Sequence, residues 1–221
     1  MPASPSGQST RMLVFGASGT IGRAVVAEAL ARGHAVTGVA RDPSVLGHAE
    51  GLVTLAGDAR DPELVRELAR EHDVVVATTR PRDGHERELV DVARTLLVAL
   101  AGLDARLILV GGAASLAVPD RPGVRVLDDP RYIGPPWRAI AEACVEQHAV
   151  WRDTGLPRAT YLSPPASLEA GPRTGRYRVA ADTLVVDPDG RSRVHVADLA
   201  VALVDEIEAP RWLGARFTVG D

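Results

Sequence analysis

An α/β fold with a doubly wound parallel sheet is what this sequence of 221 residues predicts, and three observations carry the prediction. Short apolar runs rich in Val, Leu and Ile alternate five times with segments of helical period before residue 115. Three glycines, Gly16, Gly19 and Gly22, fall where the first apolar run gives way to the first helical segment. The hydrophobic share, 46%, is enough for one well-buried core in one domain, with residues 11–221 as that domain. A small C-terminal substrate-binding region completes the expected architecture.

The first strand is expected over 11–15 and the first helix over 20–32. The turn between them runs Gly16-Ala17-Ser18-Gly19-Thr20-Ile21-Gly22. It reads as a plain tight turn or as a dinucleotide phosphate site, and its place after the first strand favours the second. In that reading Gly16 allows the sharp turn, Gly19 lets backbone approach a pyrophosphate, and Gly22 lets helix and strand pack closely. Backbone N–H groups around Ser18, Thr20 and Ile21 would then face the anion. The spacing is Gly-x-x-Gly-x-x-Gly. In the helix, Ile21, Val25 and Ala29 form an apolar stripe, Arg23, Glu28 and Arg32 take the other side, and Gly33 suits a left-handed cap.

A second strand over 35–40 ends in Arg41-Asp42-Pro43-Ser44. Arg41 lies 19 residues past Gly22, where an acidic residue would hold ribose hydroxyls and an arginine accommodates a 2'-phosphate. Ser44 is a possible second donor, and a solvated turn arginine is the plainer reading. After a third strand over 52–55, Asp61 and Pro62 suit the N-cap and first residue of a helix over 63–71. That leaves Asp58 either as a turn former or as a partner for an adenine amino group. The unbroken strand over 73–77 reads as central and buried on both faces, and it delivers Thr78, Thr79, Arg80 and Pro81 to the crevice where such sheets bind ligands. A helix over 83–101 follows, then a strand over 106–110 that leads through Gly111 and Gly112 to Ser115, a hydroxyl placed near the expected nicotinamide.

The segment 116–137, punctuated by five prolines and two glycines, reads as a substrate lid rather than a linker. A helix over 140–154 carries Cys144, His148 and Trp151. Cys144 reads as a small buried filler, and His148 as a packing or surface residue with a chemical role as its alternative. Beyond a strand over 158–162, Ser163-Pro164-Pro165 would reach the nicotinamide face, opening a substrate region over 163–195. That region is expected to hold a small hairpin-like excursion over 176–186. A helix over 196–208, with Asp198 in its first turn, and a strand over 216–219 close the chain.

Composition narrows the function classes. A net charge of −4 without a basic stripe argues against nucleic acid and membrane surfaces, and one cysteine permits no internal disulfide, consistent with a cytoplasmic setting. Residues 1–10 read as a disordered leader, since no apolar run of signal-peptide type occurs there. Scattered histidines offer no metal-ligand spacing. All 25 basic residues are arginine, so no mechanism here can use a lysine ammonium.

The turn 16–22, Arg41-Asp42-Pro43-Ser44, Gly57-Asp58-Ala59, Gly111-Gly112-Ala113-Ala114-Ser115-Leu116, Ser163-Pro164-Pro165 and Gly175-Arg176-Tyr177 resemble the atypical short-chain dehydrogenase/reductase proteins of the NAD(P)H-binding, NmrA-like class, near biliverdin-IXβ/flavin reductase. The resemblance covers nearly all of the chain past Thr10. It implies a Rossmann domain holding NADP(H), with Arg41 and Ser44 near the 2'-phosphate, Asp58 and Ala59 near adenine, and Thr78 and Thr79 along the ribose. Gly112 and Pro164 fall at its nicotinamide end, and His148 matches a histidine of the pattern. Broader short-chain dehydrogenases use a Tyr-x-x-x-Lys dyad that this chain cannot form. The resulting expectation is an NADP(H)-dependent reductase, monomeric or homodimeric, of a small planar acceptor such as a flavin, quinone or enone. Ser115 and His148 are its candidate catalytic residues. A non-turning-over NADP(H) sensor and a natural-product isomerase or dehydratase are the alternatives.

Overall fold

In the computed structural model, which describes residues 9–221, strands β1 (Arg11–Phe15), β2 (Ala35–Ala40), β3 (Leu52–Ala56), β4 (Val74–Ala77), β5 (Arg106–Val110), β6 (Ala159–Ser163) and β10 (Arg216–Gly220) form one parallel sheet. Its order is β3-β2-β1-β4-β5-β6-β10, and β8 (Arg178–Ala180) adds an antiparallel edge to β10. Chain reversal at β1 places the crevice between β1 and β4, where ligands sit in doubly wound sheets. Every residue of β4, β5, β6 and β10 is buried, as unbroken apolar strands covered on both faces require. A second pair, β7 (Ser167–Glu169) with β9 (Arg193–His195), is parallel and lies outside the main sheet.

Helices α1 (Thr20–Ala31) and α5 (Val196–Glu208) cover one face, where Val14, Val25, Ile108, Leu203 and Phe217 share a core. The other face carries α2 (Pro62–Arg70), α3 (Glu88–Leu100) and α4 (Arg138–Thr154) over Leu13, Val65, Leu96, Leu109 and Tyr161. Asp61 caps α2 by accepting from the N–H groups of Glu63 and Leu64 at 3.1 Å, as its position predicts. Gly33, at φ 81°, closes α1.

Several expectations are corrected. Helix α3 begins at Glu88 rather than 83, because 83–87 form turns around Gly84 at φ 84°. The excursion over 176–186 is no hairpin, since β8 pairs with β10 while Thr183 bridges Ala117. Glu28 does not face solvent: α5 packs on α1, and the buried carboxylate holds both Arg32 and Arg173 at 2.7 Å. Asp198 does more than meet a helix dipole, for it is buried and accepts from the Thr174 and Gly175 N–H groups at 2.8 and 2.7 Å. Most of the leader lies outside the described residues. Its last two residues are tied down, with the Ser9 hydroxyl on the Gly33 carbonyl at 3.0 Å and the Thr10 carbonyl accepting from Ala35 N–H at 3.1 Å.

The segment 116–137 is packed rather than loose. Leu116, Val118 and Val126 are buried with Leu184, and Asp129, fully buried, accepts from Arg131 and Arg121. Those guanidinium bonds hold the Asp129 carboxyl well below the usual carboxylate range. No helix among the described residues is long and apolar enough to cross a membrane.

Candidate cofactor and substrate site

Two cavities adjoin at the carboxyl ends of the central strands and share Thr78, Thr79, Arg80, Pro81 and Leu89. The first, about 260 Å³, runs from Gly16, Ser18 and Gly19 past Arg41 to Asp58, Ala59 and Arg60. The second, about 470 Å³, is walled by Ile21, Gly111 to Ala114, Cys144 and Pro164 to Leu168, with Tyr132, Ile133 and Trp137 on its outer side.

Geometry of the glycine turn fits a pyrophosphate. Gly16 has φ 77°, and its N–H donates to the Val39 carbonyl at 3.2 Å, tying the turn to the end of β2. A Cβ there would stand 2.9 Å from Thr78 backbone, and one on Gly22 would stand 2.1 Å from the Gly16 carbonyl oxygen. Only glycine satisfies both approaches. No side chain caps α1, and its first turn holds no acidic residue, in contrast to α2 with Asp61. Its first-turn N–H groups are therefore left for an anion, which the positive end of the helix also favours.

At the far end of the first cavity, the Asp58 carboxylate accepts from the Arg60 N–H at 2.9 Å and its guanidinium at 2.6 Å, while Arg60 reaches Glu88 at 3.0 Å. These bonds hold Asp58 below the ordinary carboxylate range. Asp58 is thus a turn former that also lines the cavity, the two alternatives being compatible. Ala59 is buried beside it. Arg41 is exposed, lines the same cavity and makes no ion pair among the described residues.

Other predicted site residues are placed differently. The Ser44 hydroxyl donates to Asp42 at 2.6 Å, because Asp42 caps a short 3-10 turn over Pro43–Leu46, so it is engaged away from the cavity. The Thr78 hydroxyl donates to the Phe15 and Gly16 carbonyls at 3.1 and 3.2 Å, bracing the glycine turn, while half-buried Thr79 borders both cavities. Thr20 is exposed at the start of α1 and offers backbone only.

Neither candidate catalytic side chain lines the second cavity. The Ser115 hydroxyl accepts from Arg216 at 2.8 Å, and Arg216 is in turn paired with Asp182. The ring of His148 stacks on Trp151 at 5.5 Å and meets the edge of Tyr161 at 4.9 Å. Desolvation pushes its pKa down to about 4, so the ring is neutral at pH 7 and packs as an aromatic plate. Gly111 and Gly112 have a structural reason instead: a Cβ on Gly111 would overlap the Tyr161 hydroxyl, and one on Gly112 would stand 2.8 Å from the Cys144 sulfur. Cys144 is buried as expected, though it also borders the cavity, and burial lifts its thiol to about 11.

The outer wall joins two stretches that the sequence offers separately, the end of β4 and the lid segment 116–137, and their contact is not legible in it. Arg80 lies just past the end of β4, and its guanidinium sits over the Trp137 ring, 5.7 Å from the centroid. Its position at a strand end was the available signal.

A family model described as NAD(P)H-binding matches residues 16–207. YwnB of Bacillus subtilis (strain 168) is 34% identical over 208 residues, 93% of this chain and 96% of that protein. A 3-diazoavenalumate denitrifying reductase of Streptomyces sp is 29% identical over 220 residues, covering 90% of this chain and 72% of that one. Among solved structures, SP1627 of Streptococcus pneumoniae TIGR4, described as an NADH-flavin reductase, superposes with a TM-score of 0.87 at 26% identity, covering 96% of this chain and all of that one. The glycine turn at the head of a reversed parallel sheet, the uncapped helix behind it and the match over 16–207 agree: this chain belongs to the NAD(P)H-binding family of Rossmann-fold, atypical short-chain dehydrogenase/reductase proteins.

Proposed function

We propose that the protein is an NADPH-dependent reductase of a small planar acceptor. The observation that carries this reading is the junction of the two cavities at Thr78, Thr79 and Arg80. A dinucleotide seated on the glycine turn would lie in the first, and its nicotinamide would emerge into the second, against Gly111, Gly112 and Pro164. When bound, NADPH supplies a hydride. The chain's own contribution is placement and exclusion of water: the buried prolines Pro164 and Pro165 present a rigid wall, and Ile133, Ile140 and Leu89 make the pocket apolar.

Among the described residues no side chain that titrates near neutral pH lines the second cavity, and burial keeps the Cys144 thiol protonated. Protonation of the reduced acceptor therefore falls to solvent at the open mouth, in keeping with the missing Tyr-Lys dyad. The reductase names of the Streptomyces and Streptococcus relatives support the reaction class. Mixing the protein with NADPH and a panel of flavins, quinones and enones is expected to give acceptor-dependent loss of nicotinamide absorbance. Tight NADPH binding with no turnover across the panel would instead favour a redox-sensing binding protein.

Preference for NADPH is assigned to Arg41, which lines the cofactor cavity and makes no ion pair among the described residues. A charge-assisted bond to the 2'-phosphate is worth ~1.5 to 3 kcal/mol. NADPH should bind more tightly than NADH by about that amount in wild type, and Arg41→Ala should erase the difference, leaving NADH affinity nearly unchanged. Equal affinities of wild type for the two cofactors, measured by titration, would remove this assignment.

A further inference from the structure

The geometry points to an acceptor that carries a carboxylate on a small conjugated ring system, with Arg80 holding the charge beside Trp137. This inference deepens the reductase reading of the same cavity and rests on it. Among the described residues Arg80 is the one charged side chain that lines the second cavity, whose other walls are mostly apolar. Among the described residues it has no carboxylate partner, a state it shares with Arg41 at the far end of the cofactor cavity, whereas Arg131 is engaged by Asp129 and Asp120 and Arg60 by Asp58 and Glu88. An unneutralised cation at the mouth of an apolar pocket attracts anions and rejects cations.

Its presentation suits a carboxylate. Both Arg80 and Trp137 are exposed at the rim, and the guanidinium lies over the indole rather than beside it. No side-chain hydrogen bond engages the guanidinium among the described residues, which leaves its N–H fork for two parallel bonds to a carboxylate. The indole meanwhile offers an aromatic surface against which a planar ring can rest. The charge is also felt within the pocket: burial raises the Cys144 thiol, and the one influence that opposes this is Arg80. Arg80 also borders the cofactor cavity, so a contact to the cofactor's phosphates is the competing assignment.

Binding of inert matched ligands separates these assignments. Cinnamate and cinnamamide differ by one negative charge, and neither needs turnover to be read by calorimetric titration of the protein saturated with NADP+. Wild type should bind cinnamate at least ~10-fold more tightly than cinnamamide, the ratio expected for one charge-assisted contact. Arg80→Gln should abolish that preference, Arg80→Lys should keep part of it, and NADPH affinity should be nearly unchanged in both, because in this proposal the guanidinium holds the acceptor and not the cofactor. Equal binding of the two ligands to wild type, binding of neither, or a preference that survives Arg80→Gln would overturn the proposal. A parallel fall in NADPH affinity would make Arg80 a cofactor ligand and overturn it as well. Intact charge preference with no turnover of any acceptor would count against the reductase reading alone.

Discussion

Gly19→Val is expected to abolish cofactor binding in a domain that still folds. Gly19 has φ −75° and ψ 170°, extended backbone that valine adopts freely, and an added Cβ would stand 3.3 Å from the Gly16 carbonyl oxygen. That contact is tight but relieved by a shift of a few tenths of an ångström. The valine methyls would project over the first turn of α1, into the space the pyrophosphate needs. Displacing two charge-assisted N–H contacts costs ~3 to 6 kcal/mol, a loss of roughly 150- to 25,000-fold in affinity. Gly22→Ala is the contrasting control, since its Cβ would meet the Gly16 carbonyl oxygen at 2.1 Å and backbone cannot yield that far. It should lose structure and binding together. Fluorescence titration of NADPH, with circular dichroism melting for the fold, distinguishes the two. A folded Gly19→Val protein with wild-type affinity would mean that the cofactor sits elsewhere.

The second large effect is on stability. A Cβ on Gly111 would lie 1.8 Å from the Tyr161 hydroxyl oxygen and 2.8 Å from the Gln147 side-chain oxygen. Tyr161 is fully buried, donates to Gln147 at 2.9 Å and is wedged against Trp151 and His148, so it has nowhere to retreat. Gly111→Ala should cost on the order of 2 to 4 kcal/mol, the penalty of overpacking a rigid core beside a strand end. Tyr161→Leu alone should cost a similar ~2 to 4 kcal/mol through lost packing and an unpaired Gln147. Combined, the two should cost at least ~1 kcal/mol less than their sum, because the second change removes the atoms that the first one strikes. Additive losses in urea denaturation would show that Gly111 is not held by Tyr161.

Legibility in the sequence followed the range of the interactions involved. The strand-turn-helix unit around Gly16 and Gly22, the N-cap at Asp61 and the buried strands β4 and β5 were readable because each is set by neighbours within a few residues: a positive φ, a side-chain cap, an unbroken apolar run. By contrast β7 and β9 are three residues each, too short to show a period, and exist through pairing across 167–195. The start of α3 was read five residues early because charged turn residues at 83–87 continue a helix-compatible composition.

Side-chain direction at the site was the larger unknown. Ser115 and His148 stand where sequence order puts them, after β5 and on α4, yet their partners are Arg216, Trp151 and Tyr161. Arg216 is 101 residues from Ser115, a neighbour only because β10 enters the sheet beside β6. Arg80 is placed by the sequence in the crevice at the end of β4, but nothing there sets its role apart from that of the other arginines. By itself the sequence determined the α/β class, the strand-turn-helix unit with its three glycines and the lack of any lysine, since these depend on residue type and local spacing. Tertiary structure alone decided which cavity-lining arginines carry a carboxylate partner, which hydroxyls are spent on backbone and which glycines make room for Tyr161 and Cys144. Those are properties of contacts between distant segments, and no local pattern encodes them.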